Sequence, residues 1–206
     1  MLDKTNLCEY IHSAALSKII YSINVKLKYN DNESFIDNVK KLVNPYSKAS
    51  SVINKFFPDD EYVKYISSPK TGLDSLVSVN KNLKKIYVTF RGTEIETIDT
   101  FYNIMIIKKS LDHCVDIHNG YWNHLTHNNI HMKIIKIITD ILQNNPDYTI
   151  DISGHSLGGG LSLIFSYILI NELPSFEGKI STTLFGTPSI SNKEIFNFLK
   201  HFISFD

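Results

Sequence analysis

The residues best suited to covalent chemistry are Gly154-His155-Ser156-Leu157-Gly158, with Gly159 and Gly160 directly after them. A serine hydroxyl is a weak nucleophile until it is exposed and a base can take its proton. The G-x-S-x-G spacing achieves the exposure when a strand precedes it and a helix follows. Tyr148 to Ser153 reads as that strand and Leu157 to Asn171 as that helix. In so tight a turn neighbouring side chains would clash, so Gly154 and Gly158 leave room, and Gly159 and Gly160 let helix and strand pack closely. The helix begins at the serine, so its free amides and positive dipole end face the site. The Leu157 N–H is the natural first donor to a developing oxyanion. A glycine-rich turn with an incidental serine is the alternative, and it explains fewer of these features.

Other candidates are weaker. His155 adjoins the serine, but the turn aims consecutive residues in different directions, so a packed, hydrogen-bonded role is expected for it. His124, His127 and His131 fall near one helix face, where two could bind zinc. Without a further ligand signature they read as helix surface or a partly buried edge, and no metal or cofactor is expected.

The elements that position the serine come from periodicity. Glu9 to Val25 reads as a helix, with Ile11, Ala14, Ala15, Leu16, Ile19, Ile20 and Ile23 on one side. A second helix is expected over Ser34 to Val43, stopping before Asn44-Pro45, and residues 46 to 70 read as mostly helix and loop. Asp74 to Val79 and Lys85 to Phe90 alternate around a polar turn, a β-hairpin signal. One long helix is expected from about Trp122 to Leu142, ended by Asn144-Asn145-Pro146. Lys179 to Phe185 and Phe202 to Phe205 read as strands, and Asn192 to Lys200 as a short helix. Strands alternating with helices in the second half imply a parallel sheet.

Composition narrows the function classes. The chain has 206 residues, 43% hydrophobic, with 21 Lys+Arg against 21 Asp+Glu. One domain spanning 1–206 is expected. A net charge of zero offers no field for nucleic acid. No secretory signal is visible after Met1, which points to a cytoplasmic or otherwise intracellular protein. The most apolar stretch, Leu161 to Ile170, is shorter than the ~20 residues of a membrane span. Cys8 and Cys114 form no disulfide framework and read as buried thiols, with a single bridge as the alternative.

Four segments together resemble the class 3 (fungal-type) lipases of the α/β-hydrolase superfamily. They are Val88-Thr-Phe-Arg-Gly-Thr93, His118-Asn-Gly-Tyr121, Gly154-His-Ser-Leu-Gly-Gly159, and Phe185-Gly-Thr-Pro188 followed by Asn192 and Phe196. Ala14-Ala-Leu-Ser-Lys18 is similar to the family's first helix. The resemblance implies an α/β-hydrolase-like fold: a central, mostly parallel sheet with helices on both faces, incomplete at the C-terminal end. It implies Ser156 as nucleophile and Thr93 with Leu157 as the oxyanion hole. It implies a lid from Glu94 to about Ile107, whose Ile95, Ile98, Phe101, Tyr102 and Ile104 to Ile107 make an apolar face; an ordinary amphipathic core helix would show the same pattern. Arg91 and His118 read as structural, pairing with nearby backbone or carboxylates. Pro188 is followed by Ser189, where the family commonly has arginine nearby.

The family order after the nucleophile is Asp, then His. Here the only aspartate after Ser156 is Asp206, which suits the triad acid, and the only histidine is His201, which precedes it. Either the chain is truncated or the triad is incomplete. The expected activity is a serine carboxylic ester hydrolase acting on lipid acyl esters, with a lipid or small ester as partner, which the lid would meet at a lipid–water interface. A catalytically dead lipase-fold remnant that binds acyl chains or a partner protein is the alternative.

Overall fold

The computed structural model describes residues 4–22, 60–68, 70–92 and 107–205. The first element is α1 (Lys4–Ile19), closed by a 3-10 turn over Ile20–Ser22. Then come β1 (Asp60–Ser68), β2 (Leu73–Asn80), β3 (Lys85–Phe90), and a short pair, β4 (Lys108–Ser110) and β5 (Asp116–His118). The second half runs α2 (Asn119–Thr126), α3 (Ile130–Asn144), β6 (Thr149–His155), α4 (Leu157–Glu172), β7 (Ile180–Phe185), α5 (Glu194–Leu199) and β8 (Ile203–Phe205).

Among the described residues, six strands form one sheet in the order β1-β2-β3-β6-β7-β8. The first two pairings are antiparallel. The next three, β3–β6, β6–β7 and β7–β8, are parallel. With α1 on one face and α4 on the other, this is an α/β-hydrolase-like architecture.

The two faces differ in chemistry. On one, Ile86, Ile150, Ile180 and Ile203 lie side by side across four strands, all buried. This face receives α4, whose residues from Leu157 to Ile170 are all buried. A helix apolar around its whole circumference is one enclosed by protein. The ring of Phe165 meets Phe90 at 5.4 Å, and Ser166 Oγ lies 2.7 Å from Thr182 Oγ1.

The opposite face is polar. Tyr87, Asp151 and Ser181 form one row, and Thr89, Ser153 and Thr183 the next. This changes which side of α1 is inside. His12, Ser13 and Ser17 are buried along with Leu16, Ile19 and Ile20, while Ile11 is 40% exposed. The apolar side inferred from periodicity is thus only partly the buried side, because the helix packs on a polar surface and answers it with polar groups. His12 stacks on Tyr87 at 4.3 Å, and Ser13 Oγ donates to Asp151 Oδ1 at 2.7 Å.

The β2–β3 hairpin, the strands β6, β7 and β8, and the helices after β6 and β7 follow the sequence reading within a residue or two. Other expectations need correction. The long helix is broken: Asn128 and Asn129 have φ of +52° and +55°, which separates α2 from α3. Asparagine tolerates this left-handed conformation better than most residues, so Asn128-Asn129 was the available signal. Residues 60–68 form an edge strand instead of helix and loop. Its register shifts between Tyr62 and Lys64, and that bulge hides the period-two pattern. Strands β4 and β5 are too short to show a pattern. Cys114 is a free, exposed thiol, contrary to the buried one expected. Residues 34–43 and 46–59 lie outside the described residues. No helix among the described residues is long and apolar enough to cross a membrane.

Candidate active site

Strand β6 ends at His155 and α4 begins at Leu157, so one residue, Ser156, makes the reversal. Its φ of +56° and ψ of −121° are values that glycine adopts freely and serine does not. Such a residue costs about 1–3 kcal/mol and persists only where its surroundings enforce it. Here they do. The Ser156 N–H donates to the Phe185 carbonyl at 2.9 Å, and the Ser156 carbonyl accepts from Gly159 N–H at 3.0 Å and Gly160 N–H at 3.3 Å. The elbow is thus fixed to the end of β7 and to the first turn of α4.

The glycines have separate tasks. A Cβ on Gly154 would collide with the Gly158 backbone, and one on Gly158 with the Phe90 carbonyl. A Cβ on Gly159 would strike Thr187 Oγ1, and one on Gly160 the Tyr121 ring. Strand β3, the elbow and α4 therefore approach at backbone distance. The result is a half-buried serine at the carboxyl edge of the parallel strands, where open α/β sheets bind ligands. Leu157 is the first helical residue, so no carbonyl within the helix can accept its N–H. That amide, at the positive end of a 16-residue helix, is suited to stabilise an oxyanion beside Ser156.

His155 is hydrogen-bonded as expected, but it is exposed instead of packed. Its Nδ1 lies 3.1 Å from the Tyr21 hydroxyl. Arg91 is structural: its guanidinium pairs with Asp74 at 3.1 Å and its N–H donates to the Asp74 carbonyl at 2.9 Å. The Tyr65 hydroxyl beside this pair has its pKa pushed up, chiefly by burial and then by the Asp74 charge. His118 departs from the expected pairing. Its backbone N–H donates to the Ile190 carbonyl at 2.8 Å, but its Nδ1 is buried with no hydrogen-bond partner among the described residues. Asn192 uses its whole amide on one loop: Oδ1 accepts from Asp116 N–H at 3.1 Å and Nδ2 donates to the Cys114 carbonyl at 2.8 Å. That role is to hold β5.

The eight histidines of the sequence are all among the described residues, and none is hydrogen-bonded to Ser156. His201 is exposed and precedes β8, whose Ile203 pairs with Ile180 at the start of β7. Ser156 is bound to Phe185 at the other end of β7. Six residues at ~3.3 Å each put about one strand length, 15–20 Å, between them. His124 and His131 have their pKa lowered by burial, so the neutral ring is favoured. Among the described residues no group of three His, Cys, Asp or Glu is placed to hold a metal. Thr93, Asp206 and the lid segment 94–106 lie outside the described residues; Ile107, at the end of that segment, is 63% exposed. Tyr21 was missed from sequence, since a lone tyrosine at a helix end carries no signal there.

The sequence profile of the family described as Lipase (class 3) matches residues 87–205. Among solved structures, the chain is similar to a triacylglycerol lipase from Penicillium expansum, with a TM-score of 0.72 and 21% identity over 100% of this chain and 70% of that one. It is similar to the lipase of Rhizopus microsporus var. chinensis, at 0.73 and 20%, over 97% of this chain and 63% of that one. The Rhizomucor miehei lipase propeptide complex matches at 0.71 and 15%, over 99% of this chain and 60% of that one. The chain thus spans less than two thirds of the Rhizopus and Rhizomucor chains.

Proposed function

The chain belongs to the class 3 lipase family, and from that premise we propose that it is a serine carboxylic ester hydrolase acting on lipid acyl esters, in the manner of a triacylglycerol lipase. The observation that carries the reading is the strained Ser156 elbow, held between Phe185 and the first turn of α4, with the Leu157 amide beside it.

The chemistry follows from that placement. Ser156 Oγ attacks the acyl carbonyl carbon, and its proton passes to a general base, which the family order would make a histidine following the acid and which none of the eight histidines here supplies; the carboxylate that orients the base is the role assigned to Asp206. The carbonyl oxygen becomes an oxyanion held by the Leu157 N–H and by Thr93. Collapse breaks the ester C–O bond, and the alcohol leaves with the proton from the base. Water then attacks the acyl-enzyme by the same route and releases the fatty acid. The lid proposed over 94–107 would turn its apolar face to a lipid–water interface.

The alternative reading is a lipase fold that binds acyl chains or a partner protein without turning substrate over. A fluorophosphonate probe and a p-nitrophenyl ester separate the two. The hydrolase reading expects labelling at Ser156 and turnover reduced on the order of 10⁴- to 10⁶-fold by Ser156→Ala. Labelling that survives the substitution would remove Ser156 from its role. No labelling and no turnover by the 206 residues or by a chain extended through any downstream reading frame, with saturable fatty-acid binding, would establish the second reading.

A further inference from the structure

Strands β3 and β6 are paired only as far as Phe90 and Gly154. Beyond that pair the two chains carry the site: β3 leads through Arg91 and Gly92 to Thr93, and β6 through His155 to Ser156 and Leu157. The two proposed oxyanion donors therefore sit on separate segments past the end of the ladder that aligns them. A hole works only when its donors stand about 2.7–3.1 Å from one oxygen position.

Tyr21 lies across that gap. It belongs to the 3-10 turn at the end of α1, and its hydroxyl is 3.1 Å from His155 Nδ1 and 3.4 Å from the His155 carbonyl oxygen. Its ring meets the imidazole edge-on at 5.9 Å, and the Arg91 guanidinium sits 5.8 Å over the same ring. The hydroxyl also fills the space left by Gly92: a Cβ there would collide with it and would come within 2.5 Å of the His155 carbonyl oxygen. One hydroxyl thus touches the residue before Thr93 and the residue before Ser156.

We propose that Tyr21 is a positioning residue for the oxyanion hole, its hydroxyl fixing the exit of β3 against the residue that precedes the nucleophile. The role rests on the hydrolase reading of Ser156. Phenylalanine at 21 keeps the ring under Arg91 and removes only the tie, since it can neither donate to nor accept from His155.

The test compares wild type, Tyr21→Phe, His155→Phe and the double variant, in the full chain, with Ser156→Ala as blank. The readouts are kcat and KM on a soluble p-nitrophenyl ester, the rate of fluorophosphonate labelling, the Ki of an alkyl trifluoromethyl ketone, and the unfolding midpoint. The ketone forms a tetrahedral adduct that needs the oxyanion donors. Expected for Tyr21→Phe are a 10- to 100-fold fall in kcat, KM within twofold, a parallel loss of ketone affinity and slower labelling, with the unfolding midpoint nearly unchanged. The double variant should lose no more than the worse single one, because Tyr21→Phe already removes the hydroxyl-to-ring contact that His155→Phe breaks. Unchanged kcat and ketone affinity in Tyr21→Phe would overturn the role, as would a loss confined to KM, a loss tracking the unfolding midpoint, or additive losses in the double variant. Turnover that survives in Ser156→Ala, or no turnover and no labelling in the wild type, would defeat the hydrolase reading and this role with it. Labelling equal in wild type and Tyr21→Phe would defeat this role alone.

Discussion

Gly158, in the first turn of α4, lies against the carbonyl of Phe90, at the end of β3, so closely that a Cβ at position 158 would overlap that oxygen. Strand β3 leads to one proposed oxyanion donor and α4 carries the other, so this approach sets their spacing. Gly158→Ala should force the two apart. Because the obstacle is backbone, the strain should cost about 1–3 kcal/mol of stability. Displacement of the donors by some tenths of an ångström to 1 Å should lower kcat by up to ~10²-fold. Thermal unfolding and ester hydrolysis measure the two effects, and a variant with wild-type stability and turnover would refute the spacing argument.

Arg91 and Asp74 form an ion pair with only 12% and 10% of their side chains exposed. Removing one partner breaks a largely buried ion pair and leaves the other charge without its closest counter-charge. Asp74→Ala should therefore destabilise the protein by about 3–5 kcal/mol, more than a surface pair would. The double variant Asp74→Ala/Arg91→Met should recover part of that loss, since neither charge of the pair is then buried. Denaturant unfolding of the four proteins in the cycle tests this, and additive losses would contradict it.

Asp151 is buried on the polar face of the sheet. It accepts hydrogen bonds from Ser13, Ser181 and Thr183, with the buried Lys85 nearby and Glu9 paired to that lysine at 2.6 Å. Burial nevertheless dominates and raises its pKa, against the opposing pull of Ser13, Ser181, Lys85 and Thr183. A carboxyl whose pKa is higher folded than unfolded binds more protons in the folded state between the two values. Stability from this group is thus complete below the unfolded value of about 3.9 and declines as pH rises toward the folded pKa. Asp151→Asn removes the titration. Relative to wild type, the variant should gain stability as pH rises from about 4 toward the folded pKa. Parallel stability curves across that range would show that Asp151 titrates as it does in the unfolded chain.

His201 stands at the amino end of β7 and Ser156 at its carboxyl end. His201→Ala should leave ester turnover within twofold of wild type. Loss of turnover to the level of Ser156→Ala would place His201 in the site and contradict the strand register.

Much of this protein is legible locally. The glycines around Ser156 announce the elbow, because a reversal between strand and helix in one residue leaves no room for side chains. The β2–β3 hairpin shows in its alternation, and the parallel strands in their alternation with helices. Where a local signal is faint or overwritten, the reading fails: the bulge after Tyr62 scrambles the period of β1, and Asn128-Asn129 is a break only because both residues take positive φ.

Relationships between distant residues were decided by the tertiary structure alone. Tyr21 and His155 are 134 positions apart, and Ser13 and Asp151 are 138 apart. Nothing near either residue shows that α1 will lie across β3 and β6 with its turn at the site. The polar face of the sheet is also a collective property: it exists because Tyr87, Asp151 and Ser181 fall in one register row. Sequence determines which residues can make a nucleophile, because that depends on bonds and sterics within a few residues. Folding alone determines what meets it, because a contact across 134 residues is fixed by how helix and sheet pack, and no local pattern encodes that.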